Sequence, residues 1–156
     1  MSYNDGRLNF SPISMVTATL GKNDAELGTK MWYGGKEYVL VYCSDEASKG
    51  HAVCMTGTTG YTVSVGTVTQ VDHPVGWVQE ATLTTGTYGW VATRGVLNVQ
   101  MSAAVSVPIG GLVQCGANGF MTAAQLSAAT ATLQGAAIGR ALSNIASTAS
   151  GYVYVR

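Results

Sequence analysis

The stretch from Val75 to Met101, VGWVQEATLTTGTYGWVATRGVLNVQM, constrains the fold more than any other. Three apolar runs follow one another in it, each opened by a glycine: Gly76-Trp77-Val78, Gly89-Trp90-Val91 and Gly95-Val96-Leu97. Aromatic and β-branched residues suit a pleated, half-buried surface. Thr84-Thr85-Gly86-Thr87 has the chemistry of a turn, and Thr93-Arg94-Gly95 that of a tighter one. The reading is a β-meander at the centre of a mainly-β domain. With one arginine, one glutamate, no histidine and no cysteine, the stretch offers little for catalysis.

The rest of the chain repeats the pattern of short strands between turn signals. Glu37 to Cys43, EYVLVYC, is the strongest strand of the first half. His51–Met55, Tyr61–Val65 and Val68–Val71 follow, with Thr58-Thr59-Gly60 and Gly66-Thr67 as turns. Asp72-His73-Pro74 breaks the chain before the meander. Beyond it, Leu112–Cys115 and Phe120-Met121 flank Gly116-Ala117-Asn118-Gly119, and Asn-Gly between strands is a strong hairpin signal. Ala137–Leu142 and Tyr152–Val155 read as closing strands. Residues 122–135 have a composition open to helix or to a small-residue loop, and the loop is favoured because only Leu126 and Leu133 would anchor a helix. Strands at this spacing predict a small β-barrel or β-sandwich.

Residues 1–30 lack sustained periodicity, and Pro12 interrupts both helix and ladder. They nevertheless carry Tyr3, Phe10, Ile13 and Met15, whereas disordered tails are normally poor in such residues. Two readings stand, an unstructured tail and an extended N-terminal arm that docks on a neighbouring subunit. The division adopted is the arm, 1–30, and a single β domain, 31–156. Trp32 and Tyr33, before Gly34-Gly35, are expected to be exposed or to touch a partner. Trp77 and Trp90, in matching places after their glycines, are expected to be core.

Composition narrows the function. Only 10% of the 156 residues are charged, and the formal net charge is zero. Ordinary soluble domains carry about 25%. A charge-poor surface fits either a small domain covered in Ser, Thr and Asn or one covered by partners, since interface cores are depleted in charge. The eight Lys and Arg are scattered in sequence, which argues against nucleic acid. No run is long and apolar enough to span a membrane, and the first residues lack the apolar core of a secretory signal. Cys43, Cys54 and Cys115 are expected to be reduced and buried, with a Cys43–Cys54 disulfide left open.

Candidate chemistry is sparse. His51 and Cys54, with Cys43 upstream, supply three potential zinc ligands where structural zinc takes four. Residues 51 and 54 would also point to opposite faces of a regular strand. Cys54 is therefore expected in the core and His51 at the surface. Asp72-His73 would be mutually misdirected on an extended chain, and no G-x-S-x-G elbow supplies a nucleophile. Asp45-Glu46 beside Lys49 reads as a solvated turn. No catalytic, metal or cofactor site is expected.

Two blocks carry a resemblance. The first is Val75-Gly76-x-Val78-Gln79-x-Ala81, then Gly86-x-Tyr88-Gly89-Trp90-Val91 and Gly95. The second is Gly135, Ala137-Ile138-Gly139-Arg140-Ala141-Leu142 and Gly151-Tyr152-Val153-Tyr154-Val155. Together they resemble the capsid decoration, or cement, proteins of tailed bacteriophages. The resemblance implies a virion structural protein on the outer surface of the capsid, made in the host cytoplasm. It implies the major capsid protein and two further copies of the chain, as a homotrimer, for partners, and no enzymatic activity. Under that reading Tyr3, Phe10, Ile13, Met15, Trp32 and Tyr33 are the candidate capsid or subunit contacts. The alternative is another virion component, such as a tail or head-fibre adhesin that binds a host-surface glycan. An enzyme of unrecognised type is the third possibility.

Overall fold

Strand β2 (Lys36–Cys43) organises the first half of the molecule, since its apolar residues run without alternation and both its faces are covered. The computed structural model describes residues 26–56, 60–65, 74–102, 105–124 and 139–156. Before β2 comes β1 (Lys30–Tyr33). After it come β3 (Ala52–Met55), β4 (Thr62–Val65), β5 (Pro74–Trp77) and β6 (Thr87–Gln100). β7 (Leu112–Cys115), β8 (Met121–Ala123), β9 (Gly139–Ala141) and β10 (Ser150–Val155) complete the described strands. Among the described residues the only helical turn is a 3-10 turn at Ala117–Gly119, inside the β7–β8 hairpin.

Five strands close a β-barrel. β2 pairs with β4 in parallel, and the ring returns to β2 through antiparallel β4–β3, β3–β5, β5–β6 and β6–β2 pairings. The mainly-β expectation holds, and the barrel is the form it takes. One cluster of buried side chains, Val39, Val41, Cys43, Val53, Val63 and Val91, draws on four strands of the ring and fills the barrel. Leu83 and Ala47, joined by an isolated bridge, pack into the same cluster. Tyr38, Leu40, Trp90 and Ala92 lie on the other side of the same strands. They join Leu97, Val99, Met101, Val113, Met121, Val153 and Val155 in a second core. Each buried Val, Leu or Met among them contributes roughly 1.5–3 kcal/mol.

The second core belongs to the second group of strands. β10 pairs with the far half of β6, β9 with β10, β7 with β9, and β8 with β7. A bridge from Met121 to Met101 brings β8 back to the end of β6. Trp77 and Trp90 are both core, as expected, and the Trp77 indole N–H donates to Met121 Sδ at 3.2 Å. Gln79, buried, uses its side-chain amide as a strand would. Its Nε2 donates to Asn98 O and its Oε1 accepts from Asn98 N, both at 2.8 Å.

The central meander is corrected. Residues 87–100 form one strand, and Thr93-Arg94-Gly95 is a bulge within it rather than a turn. Glu37 pairs with Arg94 while Tyr38 pairs with Ala92, so Thr93 is the extra residue. Gly95 has φ +114°, and a Cβ there would lie 2.8 Å from the Gly35 carbonyl oxygen. The first half of β6 builds the barrel and the second half the other sheet.

Several expectations fall on other ground. Residues 1–25, with Tyr3, Phe10, Ile13 and Met15, lie outside the described residues, as do Val68–Val71, Asp72-His73 and 125–135. Glu26 to Lys30 run beside β2: Gly28 N donates to Leu40 O, and Leu40 N to Thr29 O, both at 2.9 Å. Cys43 is a thiol whose Sγ–H donates to Asp45 O at 2.6 Å, and burial raises its pKa.

Candidate interaction surface

Strand alternation builds the site. In β10, Gly151, Val153 and Val155 are buried, while Tyr152 and Tyr154 stand outward, 54% and 45% exposed. Residues opposite each other in register share a face. Tyr154 lies between Val96 of β6 and Arg140 of β9. Tyr152 lies beside Asn98, and the Leu142 amide donates to its carbonyl at 2.9 Å. Val96 and Leu142 are exposed aliphatics, each 43% exposed. Arg140 is braced by an Nη1 hydrogen bond to Gly110 O at 3.2 Å. Arg94 precedes Gly95 and Arg156 follows Val155, so the two arginines flank the same end of the β6–β10 ladder.

At that end the face meets the barrel mouth. A cleft of about 460 Å³ is lined by charged Lys30, Glu37 and Arg94, by Thr93, and by an apolar floor that includes Val39 and Val75. Glu37 is buried. Its carboxylate accepts from Thr93 Oγ1 at 2.7 Å and from Lys30 Nζ at 3.1 Å. The Thr93 hydrogen bond, then Lys30 and the charge of Arg94, hold its pKa below the ordinary carboxylate value against the opposing effect of burial. Trp32 sits opposite Glu37, which sits opposite Arg94, so the three form one row. Gly34 and Gly35, with φ of +56° and +76°, make the tight turn that carries β1 back into β2.

Trp32 and Tyr33 are both exposed, 67% and 50%, where the sequence placed them. They occupy the two faces of β1: Trp32 shares the side of Lys30 and Glu37, and Tyr33 that of Met31, which packs on the second core. The sequence reading missed Tyr152, Tyr154, Val96, Leu142, Arg94, Arg140 and Arg156. The alternation of SGYVYV was a visible signal for the two tyrosines. The arginines carry no local signal, because only the register gathers them.

The other sequence candidates stay apart from this face. His51 is half-buried rather than at the surface, and its ring meets Phe120 edge-on at 4.8 Å. Its Nδ1 is buried with no hydrogen-bond partner, and burial lowers its pKa. Asp45 and Glu46 lie in an exposed turn. Among the described residues no group of three or more His, Cys, Asp and Glu is placed to hold a metal ion. No helix among them is long and apolar enough to cross a membrane.

No family model and no curated protein matches the chain. Among solved structures it is similar to the head fibre gp8.5 N base in bacteriophage phi29, with a TM-score of 0.54 and 10% sequence identity, over 76% of this chain and 92% of that one. At that identity the likeness is one of fold.

Proposed function

We propose that this chain is a structural component of a tailed-bacteriophage virion, seated on the outside of the head, where it serves as the base of a head-attached fibre. The observation that carries the reading is the shared fold with the phi29 head-fibre base, which extends over most of both chains. The low charge of the sequence and its exposed Trp and Tyr fit a surface meant to be covered. Its work is mechanical rather than catalytic. It holds through many modest contacts, multiplied where copies associate, and a homotrimer with the major capsid protein as partner is the assembly this reading takes.

A second reading is a cement protein spread over the whole shell, and the two glycine-aromatic blocks of the sequence favour it. Both readings put the chain on the head, and they differ in copy number. The test is to band virions on a density gradient and quantify this chain against the major capsid protein. A ratio well below one-to-one supports the fibre base. A ratio near one-to-one supports cement. Absence from particles overturns both.

A further inference from the structure

The chain is neutral as a whole, but its described charges are not evenly spread. Of the described cations, Lys30, Arg94, Arg140 and Arg156 fall on or beside the strip that runs from Trp32 through the cleft to Tyr152, and Lys36 and Lys49 do not. Of the described carboxylates only Glu37 is placed there by the register, and it is already bonded to Thr93 and Lys30. Glu80 lies elsewhere, accepting from Tyr38 Oη at 2.6 Å near Lys36. Asp45 and Glu46 are in a turn, and Glu26 is exposed in the segment before β1, outside the paired strands.

We infer that this strip is the docking face for an acidic protein surface, with Arg94, Arg140 and Arg156 pairing its carboxylates and Trp32, Tyr152 and Tyr154 burying against it. The inference rests on the reading of the chain as a head-attached protein and names the chemistry of the surface that receives it.

The residue types decide between occupants. Trp, Tyr and Arg are the side chains that dominate protein interfaces, and arginine forks bind carboxylates in two parallel hydrogen bonds. Val96 and Leu142 add aliphatic area, which is buried by another protein and not by a hydrated polysaccharide. On this face β6, β10 and β9 form one continuous pleated ladder, with Val96, Tyr154 and Arg140 abreast. A two-fold contact of this face with the same face of a second copy is disfavoured, because it would set its arginines against one another.

The test uses the full-length chain and heads purified from a phage in which its gene has been deleted. Four proteins are compared by co-sedimentation: wild type, the charge reversal R140E/R156E, the tyrosine pair Y152S/Y154S, and K49E as a cation off the strip. R140E/R156E should lower head binding about tenfold or more, the effect of losing a few charge pairs. Y152S/Y154S should lower it as well, and K49E should leave it unchanged. Wild-type binding should weaken steeply as salt rises. Thermal melts check folding, and R140Q/R156Q supplies a milder pair. Arginine variants that bind heads as tightly as wild type overturn the inference while leaving the head-protein reading intact. Arginine-dependent binding to dextran sulfate beads without arginine-dependent binding to heads overturns it in favour of a polyanion site. Wild type that fails to bind heads at all overturns the underlying reading, and this partner with it.

Discussion

β2 and β10 both pair with β6, β2 against its first half and β10 against its second, and they are used in opposite ways. β2, KEYVLVYC, is covered on both sides: Val39, Val41 and Cys43 fill the barrel while Tyr38 and Leu40 enter the second core. β10, SGYVYV, alternates strictly, with Val153 and Val155 inward and two tyrosines outward. A strand that serves two cores has no face left for a partner. A strand that serves one displays the other, and what it displays was not obliged to be aromatic. In a hydrated face with no task, serine or threonine would do.

The largest effect expected from this contrast is on folding. Leu40→Ala removes a fully buried side chain from the second core and should cost about 2–5 kcal/mol in chemical denaturation. Tyr154→Ser, on the open face, should cost about 1 kcal/mol or less, the worth of strand propensity and one cross-strand pair. If the two cost similar amounts, Tyr154 is packed against the rest of the chain, and the face is not free to receive anything.

How much of this was legible depends on where the information lies. β2 could be read directly, because a continuous run of β-branched and aromatic residues is what a doubly covered strand needs. The β7–β8 hairpin could be read from Asn118-Gly119, both of which adopt positive φ. β6 could not. Thr93-Arg94-Gly95 has turn composition, and a glycine inside an apolar run signals a turn or a bulge equally well. The choice was made by tertiary pairing: Glu37 holds one side of the bulge and Val155 pairs with Gly95 beyond it. The arginine face was hidden for the same reason. Positions 94, 140 and 156 share nothing in sequence, and only the β6–β10–β9 register brings them together.

Gly95 is where the two halves of the comparison join, so it offers a way to break it. Gly95→Ala adds a Cβ 2.8 Å from a backbone oxygen, at a φ of +114° that L side chains rarely adopt. Strain of this kind costs about 1–3 kcal/mol. A thermal melt should show the loss. Full retention of stability would mean that β6 bends elsewhere and that the halves are not pinned at this residue.

A smaller effect sharpens the seam between barrel and face. Glu37 accepts from Thr93 and Lys30, and those contacts keep its folded pKa below the unfolded value of about 4.3. A depressed carboxylate contributes stability that is present above the unfolded pKa and is lost as pH falls through the folded pKa. Glu37→Gln keeps the shape, weakens the charged hydrogen bonds, and should cost about 1 kcal/mol at neutral pH. On acidification below about pH 4.3 the wild type should lose that advantage, so the two stability curves converge. Denaturant titrations at a series of pH values from 7 to 3 read this directly. A gap that stays constant over that range would mean the contacts act through shape and not charge. In that case Lys30 and Arg94 would owe nothing to Glu37, and their charges would be wholly available to a partner at the barrel mouth.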